Sequence, residues 1–105
     1  MIKYNVWMHV VGGSVTLMFA AAGTGHIVRR ETLVVDRDIR GQARVMSALL
    51  LGLNKLNRKG RFTLQVTVSD SNVRAMLYGS MQSRKHADLL GRCIKGVDHF
   101  KAEVL

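Results

Sequence analysis

Proline is missing from all 105 residues, and cysteine appears once, at Cys93. A lone thiol cannot form an internal disulfide, and the four histidines are scattered, so neither a disulfide-stapled secreted scaffold nor a zinc site has support. No low-complexity segment or internal repeat is present, and nothing resembles an interdomain linker. Long apolar runs are also missing: Arg, Lys, Asn or Gly interrupts each one well short of the roughly 18 to 20 residues that cross a bilayer. The first residues, Met1 to Asn5, lack the order of a signal peptide, so the expected setting is cytoplasmic, with no membrane partner. Acidic residues are scarce, seven against sixteen Lys and Arg, for a net charge of +9. That balance excludes an acidic mimic of DNA and draws the chain toward polyanions, though charge alone carries no specificity.

What is present describes one ordinary globular domain: 48% hydrophobic and 22% charged residues in a length that supports a single core. The clearest stretch runs from Arg61 to Arg74. Phe62, Leu64, Val66 and Val68 alternate with Thr63, Gln65, Thr67 and Ser69, the period of a strand with one buried and one wet face. Asp70 and Ser71 follow, then a short helix from Asn72 to about Tyr78.

Upstream, residues 3–11 read as a first strand, with Tyr4, Val6, Met8 and Val10 on one side and Asn5, Trp7 and His9 on the other. Gly12 and Gly13 supply the positive φ of a hairpin turn. In the second strand Val15, Leu17, Phe19 and Ala21 alternate against Thr16, Met18 and Ala20. The third, from His26 to about Val35, carries Arg29, Arg30 and Glu31, as suits an edge that resists pairing with other chains. Asp36 or Asp38 is expected to cap a helix beginning near Ile39 and ending at about Lys59, with Gly60 as its left-handed cap. Its apolar face includes Val45, Met46, Leu49, Leu53 and Leu56, and should lie across the sheet. A further helix is expected over about residues 86–97, burying Cys93, and a fifth strand over residues 100–105.

The order βββαβαβ resembles the ribonuclease H-like fold, an α+β (α/β) mixed five-stranded sheet with helices mainly on one face. The local likeness is best over residues 42–77, where Gln42 to Gly60 looks like that family's central helix and Val66 to Ser71 like its fourth strand. Enzymes of the family hold two divalent metals with several carboxylates, which stabilise the attacking and leaving oxygens of a phosphodiester. Asp70 matches the acidic residue at the end of the fourth strand. The first strand offers Met8, His9 and Val10 where the family has an Asp, and the central helix has Val45 beside Arg44 where it has a Glu. The resemblance with these departures implies a domain that binds without cutting: no catalytic residue, no metal, no cofactor. Asp70 then serves as a helix N-cap.

Two partner surfaces are expected. The likeness brings Arg37, Arg40, Arg44 and Arg74 to one rim, where guanidinium groups bond phosphate oxygens of RNA or DNA, with Arg84 and Lys85 as a looser second group. The alternative is a small adaptor or inhibitor, of the kind viruses and mobile elements encode, whose open sheet face carries Trp7, His9 and Met18 and meets a protein or a second copy of the chain.

Overall fold

Val6, Met8 and Val10 alternate with Asn5, Trp7 and His9, and in the computed structural model, which describes residues 2–56 and 61–105, this stretch forms β1 (Tyr4–Val11) with the first set buried. β2 (Ser14–Ala21) returns antiparallel, placing Leu17 beside Met8 and Val15 beside Val10. β3 (Ile27–Val34) pairs antiparallel with β2 at the sheet edge. α1 (Gly41–Lys55) then crosses the sheet, so that β4 (Phe62–Val68) lies parallel to β1, with Val66 beside Met8 and Val68 beside Val10. α2 (Ser71–Leu77) and α3 (Ala87–His99) precede β5 (Glu103–Val104), which is parallel to β4. The strand order is β3-β2-β1-β4-β5. No helix among the described residues is long and apolar enough to cross a membrane.

The core lies between α1 and the face bearing Val6, Met8, Leu17 and Val66, with Met46 and Leu49 fully buried beneath the helix. Gly52 sets how close that helix comes. A Cβ there would stand 2.8 Å from Val15 Cγ2 and 3.1 Å from Met8 Cε, so a side chain would force Val15 and Met8 to shift or α1 to move outward. α3 packs beside α1, and Cys93 Sγ donates to the Met46 carbonyl at 3.3 Å.

Burial pushes the Cys93 thiol up from 9.0 to about 12. A folded-state value above the unfolded one means the neutral thiol's contribution is intact below pH 9 and is lost as pH rises toward 12. Cys93 is therefore expected to resist iodoacetamide at about pH 8 until urea unfolds the chain. The stability difference between wild type and Cys93→Ala should shrink between pH 9 and 12, as urea titrations at several pH values will measure.

Several boundaries differ from the sequence expectation, each for a local reason. α1 begins at Gly41 rather than near Ile39, and neither Asp36 nor Asp38 caps it. The Asp36 carboxylate instead accepts from the Asp38 N–H at 3.1 Å, closing a turn ahead of the helix. α1 ends at Lys55, short of Lys59, because Leu56 turns extended and its N–H closes on the Leu53 carbonyl at 3.3 Å. Fifteen helical residues already span roughly 22 Å, close to the length of the strands beneath. Gly60, the expected cap, lies outside the described residues. In β2 the register shifts between Phe19 and Ala20, so Ala20 is buried and Ala21 only half-buried. The last strand is two residues long, because Phe100 caps α3 and packs on Phe62 with ring centroids 5.5 Å apart. Of the two turn glycines, Gly12 has the positive φ of 55°, whereas Gly13 does not, and serves another purpose described below.

Candidate functional site

β1 and β4 end together: the Ser69 N–H donates to the Val10 carbonyl at 3.0 Å. The end of β3 joins them, with the Val35 N–H on the Gly13 carbonyl at 2.9 Å. This sheet edge, with the first turn of α1 above it, is the rim that the sequence pointed to.

Asp70 sits on that edge, and its Oδ1 accepts from the N–H groups of Asn72 at 2.9 Å and Val73 at 3.0 Å. It is the N-cap of α2, satisfying two donors that a helix start leaves open. Asp70→Ala is expected to cost about 1 kcal/mol of folding stability, read from urea denaturation. Of the residues in the stretches where the resemblance implies carboxylates, Met8, Val10 and Val45 are buried in the core and His9 is exposed on the opposite face. Among the described residues no three His, Cys, Asp or Glu side chains come together as a metal site would require.

The rim arginines divide into two kinds. Arg37, in the turn before α1, and Arg40, the α1 N-cap, are exposed. Arg44 is half-buried, and its guanidinium donates to the carbonyls of Asp36 and Ile39, both at 3.3 Å. It lies directly over Gly13, where a Cβ would fall 2.3 Å from Nε. Arg44 therefore ties the hairpin, the turn and α1 together, and Gly13 makes room for it. Sequence reasoning missed this because the two residues are remote in the chain. Arg74 is also half-buried, with one weak bond at 3.5 Å to the Val68 carbonyl.

Arg84 and Lys85 are exposed in the connection before α3. α3 finishes where Phe100 meets Phe62, at the start of β4. The first turn of α1 holds no acidic residue, and no side chain caps it, which leaves its leading N–H groups free to attract an anion. Asp36, Asp38 and Asp70 on the same edge offset part of the arginine charge.

Among the described residues no helix packs on the opposite sheet face, which carries a ladder of side-chain bonds. Trp7 Nε1 donates to Gln65 Oε1, and Gln65 Nε2 to Glu103 at 3.4 Å. Thr63 donates to Asn5 at 2.6 Å, and Thr67 Oγ1 meets His9 Nδ1 at 2.6 Å. Trp7 and Met18 are half-buried and His9 is exposed. Trp7 thus has its polar edge satisfied within the sheet and its ring partly covered by neighbours.

No protein-family model and no curated protein matches the sequence. Solved structures do match. The RNase H1 of the halophilic archaeon Halobacterium salinarum NRC-1 is 17% identical with a TM-score of 0.68, over 95% of this chain and 82% of that one. The N-terminal RNase H domain of a Mycobacterium tuberculosis protein is 12% identical with a TM-score of 0.68, over 95% of this chain and 84% of that one. A foamy viral protease-reverse transcriptase, solved in complex with an RNA/DNA hybrid, is 9% identical with a TM-score of 0.61, over 99% of this chain and 17% of that one. With the mixed sheet, the strand order and the helices on one face, these likenesses identify the fold of this chain as ribonuclease H-like.

Proposed function

We propose that this chain is a non-catalytic ribonuclease H-like domain that binds nucleic acid at the rim. The observation that carries the proposal is the contrast at one sheet edge. Val10 and Val45 are buried in the core near this edge and no acidic cluster is found among the described residues, while Arg37 and Arg40 stand exposed beside the uncapped start of α1. Guanidinium groups and free helix N–H groups both suit phosphate oxygens, and neither reads base sequence. Arg74, Arg84 and Lys85 extend the contact, and Arg44 holds the rim in shape.

An RNA/DNA hybrid is the first ligand to try, since a structural neighbour is solved with one. Fluorescence anisotropy with a labelled hybrid of about ten base pairs should show binding near 50 mM salt. Affinity should then fall steeply toward 200 mM, because each neutralised phosphate releases counterions, with a slope of about −0.9 per phosphate in log units. Absence of binding to hybrid, duplex DNA and single-stranded RNA at about 50 mM salt overturns the proposal.

A further inference from the structure

At the end of the sheet remote from the rim, beyond the last turn of α1 at Lys55, the start of β1, the end of β2 and the start of β4 border a depression among the described residues. The result is a groove of about 730 Å³, within the range of small-ligand clefts. Tyr4, Phe19 and Phe62 line it with aromatic rings, and Lys3, Arg29, Lys55 and Arg61 surround them. Glu31 is the single carboxylate among the lining residues. It takes both Arg29, at 3.0 Å, and Lys55, at 3.7 Å. The Arg29 guanidinium also lies 5.6 Å from the Phe19 ring centroid, which fixes it against the wall.

Two cations remain. Among the described residues, neither Lys3 nor Arg61 has a carboxylate partner, and the Lys3 N–H bonds the Arg61 carbonyl at 2.7 Å. That backbone bond holds the two side chains' attachment points side by side at the mouth of an aromatic groove. The rim, by comparison, has three aspartates among its arginines. Positive charge is therefore less compensated in the groove than at the rim.

We infer that this groove binds a nucleotide unit, its phosphate between Lys3 and Arg61 and its base against Tyr4, Phe19 and Phe62. A phosphomonoester carries about −1.5 to −2 charges near pH 7, which the two unpaired cations balance. Stacking on aromatic rings adds a contribution that tolerates any base. A wholly apolar ligand would leave the surrounding cations without compensation, and a flat lipid surface cannot reach into a concave site. The groove is separate from the rim by the length of β1, roughly 26 Å, and does not depend on it.

Isothermal titration calorimetry with adenosine 5′-monophosphate, adenosine and inorganic phosphate tests the assignment. The monophosphate is expected to bind with Kd below about 1 mM, and adenosine and phosphate each at least about 10-fold more weakly. Lys3→Ala/Arg61→Ala, both at exposed positions, should weaken the monophosphate about 10-fold with an unchanged thermal melt. Arg37→Ala/Arg40→Ala should leave it unaltered. The inference is overturned by no binding of the monophosphate at millimolar concentration, by phosphate alone binding equally well, or by retention in the Lys3/Arg61 variant. Loss in the Arg37/Arg40 variant would also overturn it, by placing the ligand at the rim. Rim binding is read separately with the hybrid, so failure of one site leaves the other standing.

Discussion

Replacing Arg37 and Arg40 together by alanine is expected to weaken binding of a short RNA/DNA hybrid by about 10- to 100-fold near 50 mM salt. Each guanidinium that meets a phosphate contributes on the order of 1 kcal/mol at an exposed site, and about 1.4 kcal/mol is a factor of ten. The slope of log affinity against log salt should become shallower by about one unit for each phosphate that is no longer neutralised. Both side chains are exposed and, among the described residues, make no side-chain hydrogen bond or ion pair, so the thermal melt should stay where it is. Arg44→Ala should behave in the opposite sense, because its guanidinium bonds the Asp36 and Ile39 carbonyls. It should lower stability while leaving the salt slope nearly intact. Anisotropy titrations at several salt concentrations, run beside melts of the same variants, separate the two roles.

Val10→Asp is expected to destabilise the protein by more than about 3 kcal/mol at pH 7, since it places a carboxylate in the core without a partner. Val10 is 1% exposed and neighbours Val15 and Val68 on the paired strands, so no water or cation reaches the position without repacking. Burial would raise the new carboxyl's pKa. The folded state then tolerates the group best when it is protonated, and the damage should be smaller near pH 4 and grow as pH rises. Urea denaturation at about pH 4 and about pH 7 measures this. Added Mg²⁺ at about 10 mM should not restore stability at neutral pH, because Asp70 is engaged in capping α2 and Asp36 in closing the turn before α1. Recovery with Mg²⁺ would mean that this edge can still gather a metal.

Most of the sheet was legible from period alone. Phe62 to Ser69 alternates so regularly that its buried and wet faces could be assigned, and the open face does carry Trp7, Gln65 and Thr67. Asp70 as a cap was legible as well, because a strand ending in Asp-Ser before a short apolar segment has a local explanation. The ends of α1 were not. Its start depends on whether Asp36 bonds the helix or its own turn, a choice between two local partners of similar strength. Its end depends on how far the sheet below extends, which no residue of the helix encodes.

The rim itself was half legible. Four arginines could be brought to one edge, but sequence spacing gave no reason to separate exposed Arg37 and Arg40 from Arg44, which is held over Gly13. Gly13 looked like a second turn glycine, and only the packed structure reveals that its missing Cβ makes space. The groove at the other end was invisible for the same reason: Lys3, Arg29, Lys55 and Arg61 come from four different elements or their flanks. The sequence put Trp7 on the open face without deciding how far its neighbours cover it. Pairing of β1 with β4 supplies Gln65 as its partner, a contact across 58 positions of sequence.

Binding without cutting is tested most directly by incubating an end-labelled RNA/DNA hybrid with equimolar protein and about 10 mM Mg²⁺ or Mn²⁺ for several hours, then resolving the strands on a denaturing gel. The expected result is a hybrid that is bound in the same buffer and whose RNA strand remains full length. Metal-dependent shortening of the RNA that disappears in Asp70→Asn would contradict it.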